Sequence, residues 1–420
     1  MVVTYMPSAT SEQLVQQLST LVGAENIAQS PQIGATAVVA VAPMDTQQVA
    51  DVLRHANNAG LKVRTTGSGT KLSWGNAVTA DILLRMDRMN AVREHAWEDL
   101  TAIVDAGCTW ATMQQQLAER GQYVALDPLW PEQATIGGIV AVNDSGSLRL
   151  RYGSLRDLII GMTIVLPDGT IAKTGGKVVK NVAGYDLHKL MTGAYGTLGV
   201  ITQVNFRLHP LTHHEQSWTL VSTDADALGK VLASLLDSQM VMSSSQLRSG
   251  SSGHALDVRF ASLPECLAEH HTRLQAMAAP IDPILADVSV WGARESLFMD
   301  PDAIVIKAAM LPARIAQFSS LLQQRCLDAG LICNSVTQAT GLMTASLLGD
   351  DGKITHVLHS LRNELDSPGS SLVVLRLPDA LRGTLDVWGA QSDALPLMRR
   401  IKQRFDPAST LNPGIFIGGI

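Results

Sequence analysis

The sequence contains few cysteines, and no two of them have the spacing of a metal site. Cys108, Cys266, Cys326 and Cys333 are scattered, without a CxxC pair. A zinc site, an iron–sulfur cluster and a disulfide framework are therefore not expected, because each needs closely spaced or regularly paired cysteines. We expect four buried thiols and no bound metal, so that any iron–sulfur cluster must belong to another polypeptide.

Basic runs and long apolar stretches are lacking as well. The net charge is −6 with no basic cluster, which makes nucleic acid and anionic membrane poor partners. The opening residues, MVVTYMPSATSEQLVQQL, show no basic segment followed by an apolar one, and no transmembrane segment is expected anywhere. The expected localisation is cytoplasmic, with any attachment to the inner membrane made through partner proteins.

A strand–helix–strand pattern leads into the first glycine-rich segment. Residues 37–42 (AVVAVA) form an apolar run of strand length, and residues 61–64 resume an extended pattern. Between them Asp45 fits the start of a helix and Gly60 its left-handed end. The spacing predicts a βαβ unit whose second strand runs into Gly-Ser-Gly-Thr at residues 67–70.

The Gly-Ser-Gly-Thr segment has the chemistry of a phosphate cradle. Without a Cβ, Gly67 and Gly69 allow backbone N–H groups to turn inward around an anionic oxygen. Ser68 and Thr70 add hydroxyl donors, and Lys71 adds a positive charge. A tight surface turn explains the same residues, so this segment alone leaves both alternatives open.

Two further glycine-rich segments follow in the chain. Residues 131–146 read PEQATIGGIVAVNDSG, and residues 175–202 include KNVAGYDL and GTLGVIT. Residues 159–173 show the pattern of a β-hairpin, because Asp168-Gly169 suits a turn with positive φ. Three such segments in this order indicate a flavin site, which a single glycine loop would not.

Glycine-rich motifs stop at Thr212, and strands then alternate with helices. With 420 residues, 46% of them hydrophobic, the chain can form two domains with large cores. The second part is expected to be an α+β sandwich. Residues 249–253 (SGSSG) are expected to form a flexible loop, and a helix from Leu397 to lead into the tail at residues 406–414.

The blocks RTTGSGTKLSWG, ATIGGIVAVNDSG, RYGSLRDLIIG and KNVAGYDLHKLMTGAYGTLGVIT carry a family likeness, as does the tail FDPASTLNPG. The chain resembles the FAD-binding oxidoreductases of the vanillyl-alcohol oxidase / p-cresol methylhydroxylase (PCMH) type. Within that family, its length, the Lys-Leu-Ser-Trp-Gly ending and the tail make it similar to the FAD-binding subunits of bacterial glycolate oxidase.

The resemblance implies an α+β fold, in which a PCMH-type FAD-binding domain of two subdomains is combined with an α/β cap domain. The C-terminal tail would return to the flavin domain. The implied divisions are an N-terminal helix at 1–30, the FAD-binding domain at 31–212, the cap at 213–385, and the C-terminal helix and tail at 386–420.

The resemblance also implies which residues bind FAD. The first segment would wrap the pyrophosphate, the second would line the ribityl and isoalloxazine side, and the third would support the dinucleotide from the other subdomain. The implied residues are Thr66, Gly67, Ser68, Gly69, Thr70, Lys71 and Leu72; Thr135, Ile136, Gly137, Gly138, Ser145 and Gly146; and Gly184, Tyr185, Asp186, Gly199 and Ile201.

The implied activity is oxidation of a small 2-hydroxy acid such as glycolate or D-lactate. A companion flavoprotein and an iron–sulfur subunit would complete a hetero-oligomeric complex and receive the electrons. Two alternatives remain, an accessory flavoprotein subunit that oxidises nothing itself and a stand-alone FAD-dependent dehydrogenase. No side chain is singled out as the catalytic base.

Three departures from the family pattern modify these expectations. The first loop offers no histidine for covalent attachment, so non-covalent FAD is expected. The His-rich signature of the metal-using 2-hydroxy-acid dehydrogenases is missing between Thr212 and Leu385. The tail carries Ile415 where arginine is usual, which removes a guanidinium that would pair with an anion.

Histidines elsewhere in the chain offer weaker signals. The adjacent pairs at 213–214 and 270–271 point in different directions on any regular element and lack acidic partners at a suitable spacing, so solvated pairs are expected. His188 is expected on a helix surface, and Trp74 in the wall next to the phosphate loop.

Overall fold

The structure, a computed structural model, describes residues 11–29, 39–176, 185–365, 367–378, 381–383, 385–391 and 393–420. Predictions that fall on residues between these ranges, Gly184 among them, lie outside the described residues.

The first part of the described chain builds a small sheet with parallel central strands. Its elements are α1 (Ser11–Val22), β1 (Ile27–Gln29), β2 (Val39–Val41), α2 (Thr46–Asn58), β3 (Val63–Thr66) and β4 (Ile82–Arg85). The strand order is β1-β2-β4-β3, and β2 and β3 both run parallel to β4, which lies between them. The strand–helix–strand unit is therefore present, but a later strand is inserted between its two strands.

The two ends of α2 follow the sequence signals. The Gln48 N–H donates to Asp45 Oδ1 over 2.8 Å, which satisfies one of the free donors of the first turn. Gly60, just past the helix, has φ +70°. The apolar face between these ends is buried in the core that α2 shares with α1 and the sheet.

An antiparallel sheet follows. The elements of this part of the chain are β5 (Val92–Ala96), β6 (Thr101–Asp105), α3 (Trp110–Ala118), β7 (Gln122–Tyr123), α4 (Ile136–Val142), α5 (Arg149–Tyr152), α6 (Leu155–Leu158), β8 (Ile159–Val165), β9 (Ile171–Gly175), α7 (Leu187–Met191), β10 (Val200–Arg207) and β11 (His209–Pro210). The main sheet has the order β5-β6-β10-β8-β9, and β7 pairs with β11. The predicted hairpin is the β8–β9 pair, with Gly169 at φ +83°.

The rest of the chain builds a larger antiparallel sheet covered by helices. Its elements are β12 (Glu215–Ser222), α8 (Ala225–Asp237), β13 (Met242–Gly250), β14 (Gly253–Ala261), α9 (Pro264–Ala278), β15 (Ile284–Leu285), α10 (Ala293–Ser296), β16 (Ile304–Ala309), α11 (Ile315–Ala329), β17 (Ile332–Gln338), β18 (Leu342–Leu348), α12 (Asp351–Glu364), β19 (Ser371–Arg376) and α13 (Leu395–Phe405). The order is β15-β12-β14-β13-β17-β18-β16-β19.

The expectation of a flexible loop at residues 249–253 is wrong. Ser249 and Gly250 belong to β13, which turns directly into β14 with Gly250 paired to Gly253. The pattern was misleading because β13 (MSSSQLRSG) lacks the apolar alternation of a half-buried strand. Tertiary packing buries its serines, and Ser244 and Ser245 are both fully buried.

The C-terminal tail is fastened to the two N-terminal sheets by a buried ion pair. Lys402 Nζ lies 2.7 Å from Asp406 Oδ2 and donates to the carbonyls of Thr197 (2.8 Å) and Leu411 (2.9 Å). Leu411 in turn forms a parallel bridge with Val63 of β3. Burial lowers the pKa of Lys402, while Asp406 acts in the opposite direction. The tail therefore depends on a lysine whose three donors all have partners.

We expect Lys402→Met to destabilise the protein by about 3 kcal/mol, because it leaves the Asp406 carboxylate buried without its cation. Thermal unfolding should then begin at lower temperature, and limited proteolysis should cut near the tail. Arg400→Met, an exposed change on the same helix, is the control and should alter stability by less than about 0.5 kcal/mol. Equal behaviour of the two variants would contradict the role of Lys402.

Candidate active site

The first glycine loop lines a cleft between the two N-terminal sheets. The cleft encloses about 810 Å³, its open mouth included. All three glycine-rich blocks contribute to its wall. The predicted residues that line it are Thr66, Gly67, Ser68, Gly69, Thr70, Lys71, Leu72, Thr135, Gly137, Gly138, Gly199 and Ile201.

Glycine is required in this wall for two different reasons. A Cβ on Gly67 would lie 2.9 Å from Thr135 Cβ, so the first and second blocks are in direct contact. Gly69 has φ +84°, a conformation that side-chain-bearing residues rarely adopt. Glycine at these two positions therefore allows the loop to pack against Thr135 and to turn without a side chain on its backbone.

Five predicted residues lie elsewhere. Ile136 is fully buried in the core beneath the antiparallel sheet, because its side chain points away from the cleft on α4. The Ser145 carbonyl accepts hydrogen bonds from Arg294 and Gln338, and Gly146 packs against Asp127, which places both at the junction with the larger sheet. The remaining two are the exposed Tyr185 and Asp186, and the Tyr185 side chain is 89% exposed.

Two cleft residues, Tyr195 and Asn412, were not identified from the sequence, whereas Ile415 was noted there as a departure from the family pattern. All three line the cleft. Asn412 Nδ2 donates to the Tyr195 carbonyl (2.9 Å), and its Oδ1 accepts from the Thr65 N–H (3.2 Å). Tyr195 and Asn412 adopt φ +55° and +42°, and such strain at non-glycine residues is concentrated at functional sites. The tail was recognised as a family feature, but its position in the cleft wall was not.

A buried carboxylate, Asp144, organises the inner end of the site. Its Oδ2 accepts from the Leu129 N–H (2.8 Å) and lies 3.6 Å from Lys71 Nζ, while its Oδ1 lies 3.1 Å from Arg294. Burial alone would raise the pKa of Asp144, but Arg294 and then Lys71 outweigh it, and the pKa lies below its usual value. Asp144 is therefore an anion that joins the first glycine loop to α10, which belongs to the part of the chain that builds the larger sheet.

Aromatic rings enclose Lys71 at this end. Its Nζ lies 5.0 Å from the centre of the Trp130 ring and 5.8 Å from that of Trp74. Phe298 stacks on Trp74 at 6.4 Å and meets Trp130 edge-on at 4.9 Å. Burial lowers the pKa of Lys71, and Asp144 counteracts it. The expectation that Trp74 belongs to the wall is met, since it lines the cleft.

The histidine expectations are met only in part. His213 and His214 are exposed. His271 instead stacks on Trp218 and His270 packs on Phe260, which makes both partly buried. His188 is buried, so its expected place on a helix surface is wrong. Within the described ranges no group of His, Cys, Asp and Glu could hold a metal ion.

The cysteines are free thiols. Cys108, Cys326 and Cys333 are buried, and Cys266 is partly buried.

Comparison with known families identifies the cleft. Residues 37–175 match the family model described as an FAD binding domain. This part of the chain is similar to that domain. The chain is 31% identical over 213 residues to the glycolate oxidase subunit GlcD of Bacillus subtilis, covering 50% of this chain and 45% of that protein. It is 36% identical over 177 residues to a mitochondrial D-lactate dehydrogenase (cytochrome) of Arabidopsis thaliana, covering 42% of this chain and 31% of that protein.

The fold agrees with a solved structure across nearly the whole chain. Substrate-bound p-cresol methylhydroxylase superposes with a TM-score of 0.76 at 16% identity, covering 96% of both chains. The predicted PCMH-type α+β fold is thus confirmed, and the match to the FAD binding domain supports FAD as the cofactor. The chain spans less than half of the length of the two curated relatives, so the oxidoreductase activity, the substrate and the partners stay predictions, as do the domain boundaries and the individual FAD contacts.

We expect Gly69→Val to reduce FAD affinity by about tenfold or more, because a β-branched side chain is strained at positive φ and the loop backbone must approach the ligand closely. Equilibrium titration of the apoprotein with FAD measures the change. Gly60→Val is the matched control: Gly60 also has positive φ, but a Cβ there meets no atom within 4 Å. Equal FAD affinity in both variants would place the flavin outside this loop.

Proposed function

We propose that the chain is the FAD-binding subunit of a complex that oxidises glycolate or a similar 2-hydroxy acid such as D-lactate. A separate iron–sulfur subunit would receive the electrons. The proposal places the protein in the cytoplasm, with any membrane attachment made through partners. Among the described helices, none has both the length and the apolar character needed to cross a membrane.

The observation that carries the proposal is that the three glycine-rich blocks line one cleft, together with the buried Lys71. The open backbone at Gly67 and Gly69 fits a pyrophosphate, and Ser68 and Thr70 supply hydroxyl donors beside it. Gly137 and Gly138, in the first turn of α4, leave room for a flat ring against the second block. These residues would hold FAD by backbone and hydroxyl contacts.

Bound FAD would supply the acceptor for a hydride from the α-carbon of the acid. The chain's own residues would orient the acid and keep water out. Trp74 lines the cleft and is packed behind by Trp130 and Phe298. Asp144 holds Lys71 in the cleft wall and pairs with Arg294 through its other oxygen. A small anion fits this combination of apolar wall and cationic side chains better than a neutral alcohol does.

A second candidate, an accessory flavoprotein subunit, is favoured by one observation. Ile415 is 7% exposed and lines the cleft at the position where the family pattern has arginine. A guanidinium at that point would face a bound anion, and an isoleucine cannot replace it. On this reading, the companion flavoprotein would oxidise the acid and the present chain would carry electrons.

We expect glycolate or D-lactate to bleach the FAD of the isolated chain under anaerobic conditions, while steady turnover with artificial dyes stays slow until the companion flavoprotein and iron–sulfur subunits are added. The reason is that the chain holds the flavin but has no cluster of its own to carry electrons away. Size-exclusion chromatography should show a stable complex. If the flavin stays oxidised in the isolated chain but is reduced in the complex, the accessory role is favoured. If the isolated chain alone shows full turnover with dyes, a self-sufficient dehydrogenase is favoured.

We expect the FAD to be released by acid precipitation, because the described residues that line the cleft include neither histidine nor cysteine for covalent attachment. The yellow colour should move to the supernatant. Colour that stays in the washed pellet would show a covalent bond.

A further inference from the structure

Lys307 is a partly buried lysine for which the described part of the chain offers no close partner. It lies on β16, where its neighbours Ile306 and Ala308 are fully buried in the core on the helix-covered side of the sheet. Because side chains alternate along a strand, Lys307 projects from the opposite face. Among the described residues, Lys307 Nζ makes no hydrogen bond or ion pair, whereas the buried Lys71 and Lys402 have close acidic partners.

Strand register places Lys307 beside the cleft. It pairs directly with Val373 of β19, and paired residues in an antiparallel sheet share one face. Val373 packs into the cluster that contains Trp74 together with Val142 and Tyr195. Those three residues line the flavin cleft. Lys307 therefore lies on the sheet face that packs against residues of the cleft wall.

The charges around Lys307 leave it free to bind an anion. Asp144 attracts it, while Arg294 and Arg149 oppose its charge, and burial lowers its pKa further. The Asp144 oxygens are already in contact with the Leu129 N–H, Arg294 and Lys71. A partly buried ammonium without a close partner is incompletely solvated, so an anion that binds beside it would be stabilised by its charge.

We propose that Lys307 binds the carboxylate of the substrate acid and thereby takes the place of the arginine that the tail lacks at Ile415. This inference rests on the proposed function, since it assumes a 2-hydroxy acid at the end of the flavin cleft. Arg294, held against Asp144 at 3.1 Å, is a second cation beside the same carboxylate. Lys307 is a substrate-binding residue, and FAD binding does not depend on it.

The test uses the FAD-loaded chain and oxalate, a non-reacting dicarboxylate that resembles glycolate. Oxalate binding is measured by titration calorimetry and by the change in the visible flavin spectrum. We expect Lys307→Met to weaken oxalate binding by about tenfold or more, the size of a lost charge-assisted hydrogen bond. Lys307→Arg should retain most of the affinity because it keeps the charge.

Two controls separate binding from folding. Lys230→Met removes an exposed lysine from α8 and should leave oxalate affinity unchanged. Each variant must also hold FAD at the wild-type ratio. Without oxalate, Lys307→Met should unfold at the same temperature as the wild type or higher, because a partly buried charge without a close partner has been replaced by an apolar side chain of similar length.

The outcomes distinguish this inference from the proposed function. Unchanged oxalate affinity in a folded, FAD-loaded Lys307→Met variant would overturn the role of Lys307 and leave the proposed function standing. Normal oxalate binding combined with weakened FAD binding in this variant would do the same. If the wild-type protein holds FAD but binds neither oxalate nor glycolate, the substrate class itself is wrong. Weaker oxalate binding in Lys307→Met only, with FAD retained, supports the proposal.

Discussion

The structure depends on how one buried carboxylate is satisfied. Asp144 has almost no contact with water, so its charge is tolerable only while donors surround it. Those donors come from three places in the chain: Lys71 follows the glycine loop, the Leu129 N–H precedes the second block, and Arg294 belongs to α10. Satisfying Asp144 therefore fixes the first glycine loop, the second block and α10 relative to one another.

The tail is positioned by the same principle at the other end of the cleft. Lys402 and Asp406 are buried together, and the carboxylate also accepts from the backbone N–H groups of Thr410 and Leu411. This arrangement holds Asn412 against Tyr195 and Thr65, residues that line the cleft. A segment near the end of the chain thus completes a wall that begins near residue 64.

Holding the cofactor and handling the substrate place different demands on the sequence. The cradle needs an open backbone, so glycine at a few positions suffices and the fold can be shared with a structure of 16% identity. Under the proposed function, substrate binding would instead depend on a side chain of the larger sheet. One face of β16 carries core residues, and the opposite face carries Lys307.

The sequence by itself determined the local features. Glycine spacing, the Asp45 helix start and the Asp168-Gly169 turn are set by the backbone preferences of the residues involved, and they predicted the glycine loop at residues 67–70, α2 and the β8–β9 hairpin. Only the tertiary structure decided that the polar strand β13 is buried, that Ile136 and Tyr185 stay out of the cleft, and that Tyr195 and Asn412 line it. Those outcomes depend on contacts between residues that are distant in the chain, which burial and charge pairing select and local pattern cannot reveal.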